Sequence, residues 1–255
     1  MQSNYLEVLF TPADFGLLAK RDLRGSVCVV FDVLRATSSM ITALANSAGA
    51  ILPVAEISEA VALRTRDPQI LLAGERDGLK IEANLTGSIG FDLGNSPREF
   101  TPETVRGRKI AMTTTNGTRA LRACLGADKI LIASFLNLRA TAEFLRAQQL
   151  KQLILVCSGT FEEAALEDVL CAGGLLQALG KELEKYRTAD SVSIARIIYE
   201  KTKGNILGAI SNSRNGRRLL SRPELKEDVA WCAQRDIFNL VATMDSTGCI
   251  TKATA

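Results

Sequence analysis

Read as a succession of apolar and polar positions, the chain repeats one unit four times. A short β-branched run leads into a loop of small and polar residues, then into apolar positions at helical spacing. "SVCVVF" passes through "DVLRATSS" to "MITALANSAG", and "RKIAM" through "TTTNGT" to "RALRACLG". "KILIA" passes through "SFLN" to "LRATAEFLRAQQ", and "LILVC" through "SGTFEE" to "AALEDVLCAGGLLQALGKELEKY". Short continuous apolar runs alternating with helices predict strands buried on both faces. The expected fold is therefore a three-layer α/β/α arrangement around a mostly parallel sheet. The first and last units resemble each other, which admits two similar α/β halves, lobes of about 1–150 and 151–255 within a single unit of 1–255.

Other stretches fit this rhythm less well. "NYLEVLF" reads as a strand ended at Pro12. Residues 74–99, "GERDGLKIEANLTGSIGFDLGNSPRE", lack periodicity and are dense in Gly and Asn, so they read as a long irregular loop, a kind usually kept for function. Beyond Thr188 the chain looks helical and more polar, with "SRNGRR" as its dense basic stretch.

Composition narrows the chemistry mainly through one absence. With 255 residues, 47% hydrophobic and 23% charged, the chain can bury a full core. Lys plus Arg total 31 against 28 for Asp plus Glu, and a net charge of +3 argues for neither nucleic acid nor a membrane surface as partner. No apolar run reaches the ~18–20 residues of a membrane span. The first residues lack the basic and apolar regions of a signal peptide. The six cysteines are scattered without a C-x-x-C pair, which suggests reduced thiols and a cytoplasmic location. Most telling, there is no histidine. Ser-His-Asp hydrolases, Cys-His pairs and His-ligated zinc or iron are all excluded. A divalent metal held by oxygens alone would be Mg²⁺ before Mn²⁺ or Ca²⁺.

In parallel α/β sheets the loops leaving strand C-termini gather along one edge and bind ligands there. "TTTNGT" suits an anion cradle, with Gly117 allowing the turn and hydroxyls and an amide as neutral donors. Equally, Thr115 or Asn116 could simply cap a helix. Asp32 ends a strand, but Leu34 stands where haloacid-dehalogenase phosphatases need a second Asp. With Arg35, Thr37, Ser38 and Ser39 it suits a metal–phosphate site or a helix cap. The irregular loop offers Glu75, Arg76, Asp77, Lys80, Asp92 and Asn95; Arg76 could clamp an anion, or the loop could be merely solvated.

Thr160 and Glu163 have capping-box spacing and place a helix start there. That puts Asp168 in mid-helix on a face of Ala164, Ala165, Cys171 and Ala172, beside Glu167. Either that face is exposed, or the carboxylate needs a partner or a metal. Cys157 lacks the Arg six residues on that a tyrosine-phosphatase nucleophile requires; Glu163 occupies the place. Arg214, Arg217 and Arg218 could meet an anion or form a solvated helix end.

The ordered segments "DVLRATSSMITAL", "AGERDGLKI", "GFDLGNSPRE", "TTTNGT", "CSGT" and "LEDVLCAGG", followed by "SRNGRRL" and "DVAWCAQRD", resemble the 2-phosphosulfolactate phosphatase family across nearly the whole chain. The resemblance implies an α/β, Mg²⁺-dependent acid phosphatase converting (R)-2-phospho-3-sulfolactate to 3-sulfolactate and phosphate. By motif position it implies Asp32, Arg35, Glu167 and Asp168 as catalytic residues and Asp32, Glu75, Asp92 and Asp168 as metal ligands. Arg76, Asn95, Thr113, Thr114, Thr115, Asn116, Gly117 and Thr118 would bind substrate, with Arg35 and Arg76 as anion clamps. The expected partner is a small anionic phosphoester, and a homodimer is admitted. The chain departs from the family at "EANLTGSI", Glu82 to Ile89, an insert bordering the implied site. A binding protein that senses an organophosphate or sulfonate without turnover is the alternative reading.

Overall fold

The computed structural model describes residues 4–148 and 150–253, so Gln149, the last residue of the third predicted helix, lies outside the described residues. The strands are β1 (Tyr5–Leu9), β2 (Ser26–Phe31), β3 (Ala50–Pro53), β4 (Leu71–Arg76), β5 (Leu79–Lys80) and β6 (Lys109–Thr113). They continue with β7 (Lys129–Ala133), β8 (Gln152–Cys157), β9 (Arg187–Thr188), β10 (Ala242–Met244) and β11 (Ile250–Lys252). All eleven belong to one sheet, ordered β5-β4-β6-β3-β11-β10-β7-β2-β8-β1-β9.

The predicted runs map closely onto β2, β6, β7 and β8. Alternate side chains of the central strands feed two cores. Val27, Val29 and Phe31 face a layer built on the helices Leu138–Arg146, Leu166–Leu179 and Asp190–Thr202. Cys28 and Val30 face the opposite layer, which holds Met40, Ile41 and Leu44 of the Ala36–Ala45 helix. Both faces of β2 are dry, as a continuous apolar run demands, and the three-layer α/β/α expectation holds. Among the described residues no helix is long and apolar enough to cross a membrane. All six cysteines are unpaired thiols, and all but Cys249 are buried.

The sheet is not parallel throughout. β4, β6 and β3 form one parallel group, and β7, β2, β8, β1 and β9 another. Between them lies the β10–β11 hairpin, antiparallel to β7 on one side and to β3 on the other. The two parallel groups therefore run in opposite senses, and a flat sheet would place the loops after β2 and β6 on opposite edges. Sheets twist by roughly 20–25° per strand, so the steps from β6 to β2 accumulate on the order of 100°. That twist swings the two sets of C-terminal ends towards each other, and the loops meet.

The Leu166–Leu179 helix carries both Glu167 and Asp168 into the protein. It is seated by glycines: a Cβ at Gly173 would lie 2.4 Å from the Ala195 carbonyl oxygen and 2.6 Å from the Tyr199 Cβ. The Asp190–Thr202 helix thus approaches to backbone distance. Gly173→Ala is expected to cost about 1–3 kcal/mol through overpacking, read as a lowered urea midpoint. An unchanged midpoint would mean that the helix pair gives way freely.

Candidate active site

Asp32 follows β2 directly, with 7% of its surface exposed. Its Oδ1 accepts the Ala36 N–H at 3.1 Å, so the carboxylate caps the Ala36–Ala45 helix while still bordering a cleft. A Cβ on Gly117 would fall 2.9 Å from Asp32 Oδ2 and 2.8 Å from the Ala36 Cβ, so only glycine lets the loop after β6 close onto Asp32. Beyond Gly117, Thr115 donates both its N–H and its hydroxyl to Glu75 Oε1, each at 2.9 Å. The other Glu75 oxygen accepts the Gly78 N–H at 2.7 Å. Glu75 therefore fastens the threonine loop to the turn after β4. The helix-cap reading of the loop fails, since Asn116 stands at the N-cap position without a side-chain cap bond.

Thr114, Thr115 and Asn116 line the cleft together with Asp32, Arg35, Glu75, Asp77 and Asn95. The inner space of the cleft is small, about 60 Å³. It takes a group of a few heavy atoms and leaves the rest of a ligand in the open mouth.

Behind Asp32 stand two more buried carboxylates. The helix that bears them starts at Leu166, not at Thr160; Thr160 and Glu163 pair with each other through their backbones instead, so the expected capping box is not formed. Asp168 consequently sits in the first helical turn rather than mid-helix, and its small-residue face is packed, with Cys171 and Ala172 fully buried. Its Oδ1 accepts the Val33 N–H at 2.8 Å; its Oδ2 accepts the Ser158 hydroxyl and the Gly159 N–H, both at 3.1 Å. Asp168 is thus tied to the ends of β2 and β8, and does not line the cleft. Glu167 Oε1 accepts the Asn215 amide at 2.6 Å, while its Oε2 is buried without a partner.

Burial is the main cause that pushes the Asp32 carboxyl up to about 6, with the negative charges of Glu75 and Glu167 adding to it. Asp168 is raised well above the carboxylate range for the same reason, burial first and then Asp32 and Glu167. Such crowding of acids is characteristic of functional sites.

The arginines are placed differently from expectation. Arg35 is buried and committed: Nη1 meets Asp228 at 2.7 Å and Nη2 donates to the Gly78 carbonyl at 2.7 Å. Arg76 donates to its neighbour's carbonyl at Glu75 and to the Thr113 hydroxyl, on the far side of the loop from the cleft. Thr113 in turn donates to the Ala55 carbonyl, so its side chain also points away, and Thr118 bonds back to Thr114. Asp92 stands apart from the other acids, paired with Arg64 and accepting the Leu72 N–H. The "SFLN" loop after β7 is buried and does not reach the cleft either.

Residues 16–247 match the model of the 2-phosphosulpholactate phosphatase family. The chain belongs to that family. A protein of Clostridium perfringens (strain SM101 / Type A) called "Probable 2-phosphosulfolactate phosphatase" is 39% identical over 86% of this chain and 86% of its own length. A Synechococcus sp. (strain JA-3-3Ab) protein of the same name is 40% identical over 88% of this chain and 91% of its own length. Another, from Caldicellulosiruptor saccharolyticus, is 38% identical over 86% and 89%.

Family membership raises the question of a metal. Among the described residues no three acidic or thiol side chains form a ready-made cage. Mg²⁺ seldom needs one, because it keeps waters and shares substrate oxygens with one or two carboxylates. Among the described residues two buried side-chain oxygens lack any partner, Glu167 Oε2 and Asn95 Oδ1. Hard oxygen donors left unsatisfied among crowded acids fit such a cation. The sequence did not single out Asn215 and Phe161, which also line the cleft, or Asp228, which holds Arg35. Asp228 opens "DVAWCAQRD" and Asn215 lies within "SRNGRR", so the family segments were the available signal.

The raised Asp32 predicts a signed pH effect in EDTA-treated protein. Between its ordinary value near 3.8 and about 6, the folded state holds the proton that the unfolded state has lost. Stability should therefore fall as pH rises through that window, by up to about 3 kcal/mol from this residue. Asp32→Asn should flatten that part of the curve in urea unfolding at pH 4 to 7. Parallel curves would mean that Asp32 is not strained by ionisation.

Proposed function

We propose that the chain is a Mg²⁺-dependent phosphatase that hydrolyses 2-phospho-3-sulfolactate, or a similar small polyanionic phosphoester, to 3-sulfolactate and phosphate. The observation that carries this reading is the juxtaposition of Asp32, Glu75 and the partnerless Glu167 Oε2 with the uncharged Thr114–Thr115–Asn116 loop. A small anion alone would gain nothing from three acids. A phosphoryl group bound together with a divalent cation needs them. The relatives named as phosphosulfolactate phosphatases support the substrate class.

Glu75, Glu167 and Asn95 would hold the ion. Bound there, Mg²⁺ supplies charge neutralisation to the phosphoryl oxygens. Thr114 and the Asn116 amide face the same space and donate to those oxygens, while Glu75 holds the loop still through Thr115. Asp32, with its affinity for a proton raised to about 6, suits proton transfer near neutral pH. It takes a proton from water as the water oxygen bonds to phosphorus in line and the P–O bond to the substrate's C2 oxygen breaks. The alkoxide leaves on the face opposite the water and takes a proton from solvent to depart as the alcohol, and Asp32 returns its own proton to solvent. Asp168 acts one step back, holding the Val33 N–H and so the position of Asp32. With its unpaired thiols and small free substrate, the enzyme is read as cytoplasmic.

Phosphate release from 2-phospho-3-sulfolactate should be abolished by EDTA and restored by Mg²⁺. Asp32→Asn should lower kcat at least ~100-fold while the protein stays folded. Binding without release from a broad ester panel would instead identify a sensor, and near-normal kcat in Asp32→Asn would remove Asp32 from the chemistry.

A further inference from the structure

The cleft has a charge problem that the phosphoryl site does not solve. Asp32, Glu75 and Asp77 line it, Glu167 lies just beneath, and the buried Arg35 is already neutralised by Asp228. A substrate with a second acidic group would meet net repulsion at the mouth, beyond reach of an ion held by Glu75 and Glu167.

Arg218, on the helix Arg214–Leu220, is the exception among the arginines around this cleft. Arg214 is taken by Glu163 and the Thr160 carbonyl, Arg98 by Glu227 and Asp228, and Arg119 by Glu162. Among the described residues the Arg218 guanidinium makes neither an ion pair nor a hydrogen bond, although it lines the cleft and is only partly exposed. It lies beside Gly78, where a Cβ would stand 3.5 Å from Arg218 Nη2. Gly78 is itself held from both sides, its N–H by Glu75 and its carbonyl by Arg35. The guanidinium therefore rests on the turn that Glu75 anchors, at the rim of the same cleft as the threonine loop.

We infer that Arg218 is the specificity-determining residue for the acidic group that is not transferred, binding a carboxylate or sulfonate on the alcohol part of the ester. This rests on the phosphatase reading above. A planar fork of donors matches either oxyanion, and an arginine with no protein partner has no pair to break before it binds one. The enclosed space takes the phosphoryl group, and the tail extends to the open rim where Arg218 stands. The division explains how one site full of acids accepts a polyanion: the transferred phosphoryl group meets the cation, and one of the remaining acidic groups meets Arg218.

The test compares phospholactate with 1,2-propanediol 2-phosphate, the same ester with a hydroxymethyl group in place of the carboxylate. Wild type should prefer phospholactate, and the ratio of the two kcat/KM values should fall on the order of 30- to 100-fold in Arg218→Ala, the scale of charge-assisted hydrogen bonds lost. Arg218→Lys should recover part of that ratio, because it restores the charge without the fork. A wild type without preference, or an Arg218→Ala variant that loses both activities by the same factor, overturns the assignment. Should wild type release phosphate from neither ester, the clamp is judged by calorimetry instead, and the phosphatase reading falls only if 2-phospho-3-sulfolactate is not hydrolysed either. The Kd for phospholactate must then weaken in Arg218→Ala while that for the hydroxymethyl analogue does not; equal changes reject it.

Discussion

Everything at the catalytic edge hangs on the Asp168 carboxylate. It enters on the first turn of the Leu166–Leu179 helix and takes hydrogen bonds from the residue after Asp32 and from the two residues after β8. A buried acid is costly unless its oxygens are satisfied, and here the satisfying donors are the strand ends that must be aligned. The same burial sets Asp168 against Asp32 and Glu167, and both Asp168 and Asp32 hold their protons more tightly as a result. Local repulsion of this kind lowers stability in exchange for a site ready to receive positive charge. The surrounding helices supply the rigidity that keeps the acids from relaxing apart, with Gly173 and Gly174 setting the Leu166–Leu179 helix down on its neighbour.

A second buried interaction fixes the opposite wall. Arg35 and Asp228 meet with side-chain exposures of 3% and 0%, and Asp228 also accepts the Ser96 hydroxyl at 2.7 Å. One carboxylate from near the chain's end thereby unites the loop after β2, the Asn95–Ser96 segment and the Gly78 turn. Removing one member of such a pair strands the other in low dielectric, at a cost of ~3–5 kcal/mol. This accounts for an arginine in the "DVLRATSS" segment without asking it to touch substrate. It also closes the structure across the sheet reversal. The β10–β11 hairpin joins two parallel groups of opposite sense, and Asp228 and Gly117 link the loop after β2 to the other group's side of the cleft.

The sequence carried the strands and the chemical alphabet well, and the partnerships poorly. β2, β6, β7 and β8 were legible because a strand buried on both faces must be an unbroken apolar run. β10 and β11 were not, since three-residue strands flanked by "NLV" and "STG" leave no period to detect. Asp32, Glu75, Asn95, Glu167 and the threonine loop were identified from strand-end position and family motif, and the structure gathers them. Arg35, Arg76 and Asp92 came from the same motif positions, yet their partners Asp228, Thr113 and Arg64 are distant or turned aside in ways that spacing cannot express. Thr160 and Glu163 illustrate the same limit locally: capping-box spacing is also the spacing of two residues that pair across a tight turn.

The absence of charge in "TTTNGT" follows from where its neighbours put theirs. A lysine or arginine at Thr115 would lie against Glu75 and displace the two hydrogen bonds by which Thr115 holds that carboxylate. A further acid would add to the repulsion already borne by Asp32. A side chain of any kind at Gly117 would strike Asp32 and Ala36. Only small neutral donors satisfy all three constraints, so the loop can present hydroxyls and an amide to phosphoryl oxygens while countercharge is supplied from outside it. The missing histidines fit the same economy. In a pocket where burial raises the Asp32 carboxyl to about 6, an aspartate titrates in the range where an imidazole does elsewhere.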